Sequence, residues 1–563
     1  ILALPNNVDQ IIETCKTAYP KAKILSTTKK EFTPKQRVQF FNSIRNNNWD
    51  LIILTHDQFS KIPQSMEIQQ KTIETELESI RQNLEVIRDK GFNISKQMEK
   101  GVLKRQENLE AKLRVINYII ASRKDDVVDF KMLGIDHIFV DESHQFKNLP
   151  FTTRHDRVAG IGNSTGSQRA LNLLYAIRTI QEEKHVDCCA TFLSGTIISN
   201  SLSELYSLHK YLRPKALARQ NINCIDAWLA TYAVKSTDYE FSVTNEIIPK
   251  ERFRQYIKVQ ELVQFHRQIT DYRTAKEINI DRPEPEEVLF TTELTPQQIE
   301  FQKKLIEFAK TGDAELLDRP RLTDNESRAK MLIATNYSRK MALDMRLVNP
   351  YKYHDEQYNK LSHCAKQVAE LYHQYNFCKG TQFIFSDLGT YKPGEDLWNV
   401  YSELKRKLVE DYHIPPQEIR FAQEFQSEKQ RLWMKQSMNK GNIRVLLGST
   451  LLLGTGCNAQ EKVIAIHHLD IPWTPKDLTQ RNGRGIRTGN LVAKQYADNK
   501  VKLYVYATKN SLDVYKFTLL KNKQLFIEQI RSGCCSSRRL DEGALDAENG
   551  CSYAEYVAIL SGN

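Results

Sequence analysis

Ile138-Phe139-Val140-Asp141-Glu142-Ser143-His144 is the stretch on which the reading of this 563-residue chain turns. Three apolar residues in succession, two of them β-branched, read as a buried strand. The strand ends in two carboxylates. In parallel α/β sheets the carboxyl ends of the strands face the crevice where ligands bind, so Asp141 and Glu142 stand where chemistry is done. Hydrolysis of ATP needs one carboxylate to hold Mg²⁺ through its water shell and another to orient or deprotonate the attacking water. The pattern assigns Asp141 to the metal and Glu142 to the water. The plainer alternative is a strand that ends in a solvated acidic turn, and four residues alone do not separate the two.

The surrounding chain has the alternation that such a sheet requires. Upstream, Ala22 to Leu25 reads as a strand, Pro34 to Arg45 as a helix and Leu51-Ile52-Ile53-Leu54 as a second strand. Ala190 to Leu193 reads as a further strand and Tyr206 to Leu212 as a helix. A second series follows, with strands at Gln382 to Ser386, Ile443 to Leu447, Val463 to His467 and Val501 to Tyr506. Helices at Leu397 to Tyr412 and Gln426 to Asn439 lie between them. This predicts two parallel sheets covered by helices.

The stretch from 65 to 122 breaks the pattern. Ile73, Leu77, Ile80, Leu84 and Ile87 are spaced 4-3-4-3, and Leu109, Leu113, Ile116 and Ile120 are spaced 4-3-4, with Gly91-Phe92-Asn93 between the series. Such spacing predicts an antiparallel helical hairpin zipped along one apolar seam. The domain reading is therefore lobe one over 1–214 with the hairpin at 65–122, a helical inter-lobe region over 215–375, lobe two over 376–531 and an acidic extension over 532–563.

A second chemical signal is Gln480-Arg481-Asn482-Gly483-Arg484-Gly485-Ile486-Arg487-Thr488-Gly489. Arg484 and Arg487 are three apart and share a face if the segment is helical. Two guanidiniums so placed can reach a γ-phosphate as arginine fingers do, whereas the plainer reading is a basic surface turn.

Composition sets outer limits. The 80 Lys and Arg exceed the 69 Asp and Glu, a net charge of +11 that favours a polyanionic partner. No apolar run approaches the roughly 18 residues of a membrane span. The ten cysteines show no CxxC and no zinc spacing with histidine, and the pairs Cys188-Cys189 and Cys534-Cys535 are adjacent. Reduced thiols in a cytoplasmic protein are the expectation.

Taken in order, the motifs resemble helicase superfamily 2 and within it the Swi/Snf branch. Leu4-Pro5-Asn6 resembles motif Ia and Ile53 to Phe59 motif Ib. Asp141 to His144, followed by Lys147-Asn148, resembles motif II. Ser194-Gly195-Thr196 with Ser199-Asn200 resembles motif III, and Phe383 to Ser386 motif IV. Gly448-Ser449-Thr450 through Gly454 to Gln460 resembles motif V, and Gln480, Arg484, Arg487 and Gly489 fit motif VI. A finer likeness lies in Phe151 to Arg154, Val158 to Gly162 and Ser167 to Ala170, with Asp541 to Ala544 and Ser552 to Glu555 in the tail. These are similar to the helicase segment of very large bacterial and phage proteins in which a DNA adenine methylase is fused to a Swi/Snf-like motor, relatives of phage antirestriction proteins.

The resemblance implies two RecA-like lobes, ATP and Mg²⁺ as cofactors, and double-stranded DNA contacted through its phosphates. It places His144, Gly454 and Gln480 at the nucleotide, and Pro5, Asn6, Thr55, His56, Ser449 and Thr450 at the DNA, with His56 open equally to a buried role in its turn. It gives Ser194, Gly195 and Thr196 the task of coupling the lobes, and it implies a methylase domain outside these residues. Lobe closure once per ATP would move DNA past the lobes without separating strands. A strand-separating helicase and an inert DNA-binding remnant are the rival readings.

Three departures qualify the match. Ile197 stands where motif III usually has Pro, and Asn490 where motif VI often ends in Gln. No Gly-Lys dipeptide occurs in the chain, so the phosphate-cradling loop and its Lys are missing from it. The expectation is a sequence cut at both ends, whose activity belongs to a longer parent and which hydrolyses little ATP alone.

Overall fold

The structure is a computed structural model, and it describes residues 1–28, 30–89, 96–122, 128–153, 155, 164, 166–195, 198, 201–241, 247–275, 277–395, 397–454, 458–532 and 538–541. The chain forms two compact units. Unit one is Ile1–Ser236, Glu251–Gln268 and Cys535–Asp541, and unit two is Thr237–Lys250, Ile269–Cys534 and Glu542–Asn563.

Unit one is built on five strands: β1 Leu2–Ala3, β2 Ile24–Ser26, β3 Leu51–Thr55, β4 Ile138–Asp141 and β5 Ala190–Leu193. Their order is β2-β3-β1-β4-β5, and every pairing is parallel. Ala3, Ile53, Val140 and the helix Gln168–Lys184, through Leu173, Ile177 and Ile180, are buried in its core. Crossover order and a central β1 bring the ends of β1, β3 and β4 side by side, which is what assembles the candidate site.

The helical hairpin consists of Met66–Asp89 and Lys96–Ser122. Ile73, Leu77 and Ile116 pack with Leu109, Leu113 and Ile120, and Ile80 and Leu84 continue the seam against Leu103. The turn Gly91-Phe92-Asn93 and the side chain of Ile87 lie outside the described residues. Lys71–Glu182 at 2.7 Å and Lys210–Glu76 at 3.3 Å pin the hairpin to its own unit, and Arg105–Glu76 at 3.6 Å joins its two helices.

Unit two holds six parallel strands: β6 Glu284–Thr292, β7 Thr381–Phe385, β8 Ile419–Phe421, β9 Val445–Gly448, β10 Val463–His468 and β11 Lys500–Thr508. The order is β8-β9-β7-β10-β11-β6. β7, β9 and β10 are buried along their whole length, between the helices Lys360–Gln374 and Val400–Glu410 on one face and Glu428–Lys440 on the other.

The region 215–375 differs from the helical expectation. Residues up to 268 go largely with unit one and the rest with unit two. Within it Glu284–Thr292, despite Pro285 and three glutamates, is the edge strand of the second sheet, paired from Lys500↔Glu284 to Thr508↔Thr292. An edge strand tolerates proline and charge because one side of its backbone has no ladder partner. Its residues Val288 and Phe290 still pack on the core. In the tail, Arg539–Asp541 forms a short strand antiparallel to Ile247–Ile257. The fold is α/β with two RecA-like parallel-sheet lobes and an inserted helical hairpin. Among the described residues no helix is long and apolar enough to cross a membrane.

Candidate active site

Asp141 is the last residue of β4, and its backbone pairs with Leu193 at the end of β5. Its Oδ2 accepts a hydrogen bond from Asn7 Nδ2 at 3.0 Å. Asn7 reaches it because Pro5–Ala18 starts directly after β1, with Pro5 in the first turn where its missing N–H costs nothing. Among the described residues none donates to Oδ1, which leaves that oxygen for the water shell of a cation. The site thus fits Mg²⁺ held through water, while the lysine-bearing phosphate loop is not in this sequence.

Glu142 leaves the strand in the left-handed conformation, with φ 50° and ψ 48°. For a residue with a Cβ that conformation costs about 1–3 kcal/mol and persists only where the surroundings enforce it. Here it turns the chain sharply into the 3₁₀ helix Ser143–Phe146. His144, buried, lies with Nδ1 3.1 Å from Glu142 Oε2 and 3.4 Å from Ser194 Oγ. His144 therefore touches both the Glu142 carboxylate and the Ser194 hydroxyl. Gly195 is exposed beside it, and Thr196 and Ile197 lie outside the described residues.

Of the two roles left open for His56, its position is the buried one. It is 3% exposed, and its Nε2 lies 3.0 Å from the Asp141 carbonyl oxygen. A carbonyl only accepts, so Nε2 carries the proton. Burial holds its pKa below the usual imidazole value, against the pull of the Asp141 carbonyl. Phe146 packs edge-on against the ring at 4.9 Å. Its neighbour Thr55 caps the helix His56–Phe59: its Oγ1 accepts from Gln58 N, and Gln58 Oε1 accepts from Thr55 N. Pro5 is exposed, and Asn6 lies in the first turn of its helix.

In unit two the helix Pro475–Asn482, capped by Thr474, carries half-buried Gln480. It ends before Arg484, so the shared helical face expected for Arg484 and Arg487 does not form. Gly483 closes the helix, and tight turns follow, with Gly485 N bonded to Asn482 O and Arg487 N to Gly485 O. The two arginines are brought to one place by other means. Arg484 Nη2 donates to the Gly454 carbonyl at 2.5 Å, and Arg487 Nη1 to Asn458 Oδ1 at 2.6 Å. Both guanidiniums are thus anchored at the ends of one segment, Gly454 and Asn458, of which 455–457 lie outside the described residues. Gly454 must be glycine: a Cβ there would stand 2.3 Å from Thr450 O.

Thr450 is also more constrained than a free DNA contact. Its N–H and its Oγ1 lie 2.7 Å from the two oxygens of Asp387, and Arg481 Nε donates to the same Oγ1 at 2.9 Å. Ser449, half-buried, stands directly before the helix Thr450–Leu453, and its side chain makes no capping bond. Asn490, in place of the more usual Gln, caps Leu491–Tyr496 through Ala493 N and donates to Val463 O at 2.7 Å.

Sequence reasoning passed over Asn7, Asp387, Arg481 and Asp470. Arg481 stood inside the quoted arginine segment, and Asp387 follows Ser386 directly. Position in a motif was therefore a usable signal for these two. Nothing local marks Asn7 or Asp470.

Residues 1–274 match the family described as a probable helicase domain, and residues 400–489 match the helicase conserved C-terminal domain. The chain therefore carries helicase-type domains. A 75-residue stretch is 40% identical to the defense against restriction protein B of Escherichia phage P1; it amounts to 13% of this chain and 3% of that protein's length. Among solved structures, the C-terminal part of the Fun30 ATPase domain is similar over 45% of this chain and 98% of that one, at 13% identity and a TM-score of 0.31.

Proposed function

We propose that this chain belongs to an ATP-driven DNA motor of the Swi/Snf branch of helicase superfamily 2. The observations that carry the reading are two edge-of-sheet constellations, one in each unit. One is a carboxylate pair at the end of β4, held by Asn7 and His144. The other is an arginine pair anchored to the segment after β9. Helicase-type matches over both halves support it.

In this reading Asp141 holds the water shell of Mg²⁺, which neutralises phosphate charge when bound. Glu142 accepts the proton of the attacking water, and His144 fixes the direction of its carboxylate. Arg484 and Arg487 bind the charge that grows on the transferred phosphoryl group. DNA is contacted through phosphates near Pro5, Asn6, Thr55, Ser449 and Thr450, so binding is nearly independent of sequence and weakens steeply with salt. Double-stranded DNA as track, and service in a modification or antirestriction system beside a methylase, belong to the same proposal; the phage relative supports them over a short stretch.

The deciding experiment measures ATP turnover with and without double-stranded DNA, in the natural polypeptide containing this chain and in the chain alone. Stimulation by DNA in the parent, and little turnover in the chain alone, are expected because no Gly-Lys loop occurs in these residues. No turnover in the parent overturns the motor and leaves an inert DNA-binding module. Strand displacement on forked DNA would replace the translocase with a strand-separating helicase.

A further inference from the structure

Unit two contains a charge cluster that the reaction does not use directly. Arg481 is fully buried, a position a guanidinium keeps only when acceptors surround it. They are Thr450 Oγ1 at 2.9 Å, Asp470 O at 2.8 Å, Asp470 Oδ1 at 3.0 Å and Asp387 Oδ2 at 2.8 Å. Burial pushes the Asp470 carboxyl up, but Arg481 first, then Arg339 and Lys516, outweigh it and hold it below the usual range. Asp470 is therefore the charge partner that Arg481 needs.

Asp387 is different. Its side chain is 36% exposed, so it is not required to neutralise a buried charge. What it adds is a grip on Thr450, whose N–H and Oγ1 both lie 2.7 Å from its oxygens. A guanidinium only donates and a hydroxyl has one proton, so Thr450 Oγ1 accepts from Arg481 and donates to Asp387. The connections close into a ring. Thr450 O accepts from Gly454 N at 2.7 Å, Gly454 O from Arg484 Nη2 at 2.5 Å, and Arg481 O from Arg484 N at 3.1 Å.

We propose that Asp387 and Arg481 are positioning residues that make the Ser449–Thr450 turn and the Arg484 turn one rigid piece. DNA held at the first then sets the position of the finger at the second. The inference deepens the motor reading and rests on it.

The test is Asp387→Asn in the natural full-length polypeptide, with ATP turnover followed from zero DNA through a titration of double-stranded DNA. Basal turnover should stay unchanged while the DNA-stimulated maximum falls about tenfold, within the usual range of coupling between sites. The DNA concentration for half-maximal stimulation should move by less than about threefold. Thr450→Val breaks the same ring, so the double variant should lose no more stimulation than the more affected single variant. Three results overturn the inference alone. Full stimulation in Asp387→Asn is one. Basal and stimulated turnover falling by the same factor, along with the denaturation midpoint, is another. The third is an unchanged maximum reached at less DNA, which would make Asp387 a simple repeller of phosphates. Wild-type protein without DNA stimulation overturns the motor reading and the inference with it.

Discussion

His56 holds the carbonyl oxygen of Asp141 at 3.0 Å from inside the protein. The residue after β3 thereby fixes the end of β4, the strand that carries the acid pair. Removing the ring takes this donor from the carbonyl and opens a void against Phe146. His56→Ala should cost about 2–4 kcal/mol of stability, from a lost internal hydrogen bond and a large-to-small change. Denaturant unfolding measures this. An unchanged midpoint with weaker, less salt-sensitive DNA binding would return His56 to the DNA surface.

Glu142 is strained by backbone and placed by His144, so its side chain can be altered without moving the turn. Glu142→Gln keeps an oxygen near His144 but cannot take a proton. In the full-length protein, ATP turnover should fall about 10²–10⁴-fold, the usual worth of a general base. The denaturation midpoint of the chain should hardly change. Substantial turnover in this variant would transfer the water-activating role to another residue.

Arg484 and Arg487 are tied to the same segment by different acceptors, a carbonyl and an amide. Each should still matter separately. Arg484→Ala and Arg487→Ala are expected to reduce DNA-stimulated turnover by about 10³–10⁵, as loss of an arginine finger does. Single-turnover kinetics at saturating ATP separates this from weakened nucleotide binding. Normal chemistry in either variant would remove that arginine from the site.

The lobes were legible because burial leaves its mark on single strands: Phe383-Ile384-Phe385 and Val463 to Ile466 stand out as apolar runs within strands buried end to end. Glu284–Thr292 was not legible, since its strand character comes from the ladder with Lys500–Thr508 rather than from its own residues. The acid pair was legible for the same local reason, a strand followed by carboxylates. The ring of Asp387, Thr450, Arg481 and Arg484 was not. Its partners lie up to 97 residues apart in sequence, from Asp387 to Arg484, and their hydrogen bonds depend on how β7, β9 and the helix Pro475–Asn482 come together. The arginine pair shows the limit most clearly: its i, i+3 spacing suggested a helix, but glycines at 483 and 485 end it, and tertiary bonds do the aligning.

His467 and His468, side by side at the end of β10, give unit two a built-in acid sensitivity. Tyr506 OH lies 2.9 Å from His467 Nδ1, and Gln382 Oε1 2.9 Å from Nε2. His468 Nε2 is 2.7 Å from Asn482 Oδ1. The amide oxygens accept, so Nε2 carries a proton in each ring, and burial keeps both rings neutral. Burial is the main cause that lowers each pKa from 6.5 to about 3. The unfolded chain therefore takes up protons first as pH falls. Stability is full above pH 6.5 and is lost progressively towards pH 3. Between pH 6.5 and about 5, each histidine should cost about 2 kcal/mol. His467→Gln removes one titrating ring, so its unfolding free energy should be lower at pH 7 yet fall less steeply on acidification. Urea unfolding at pH 7 and pH 5 for both proteins reads the difference. Equal losses in wild type and variant would mean that His467 is not neutral in the folded protein.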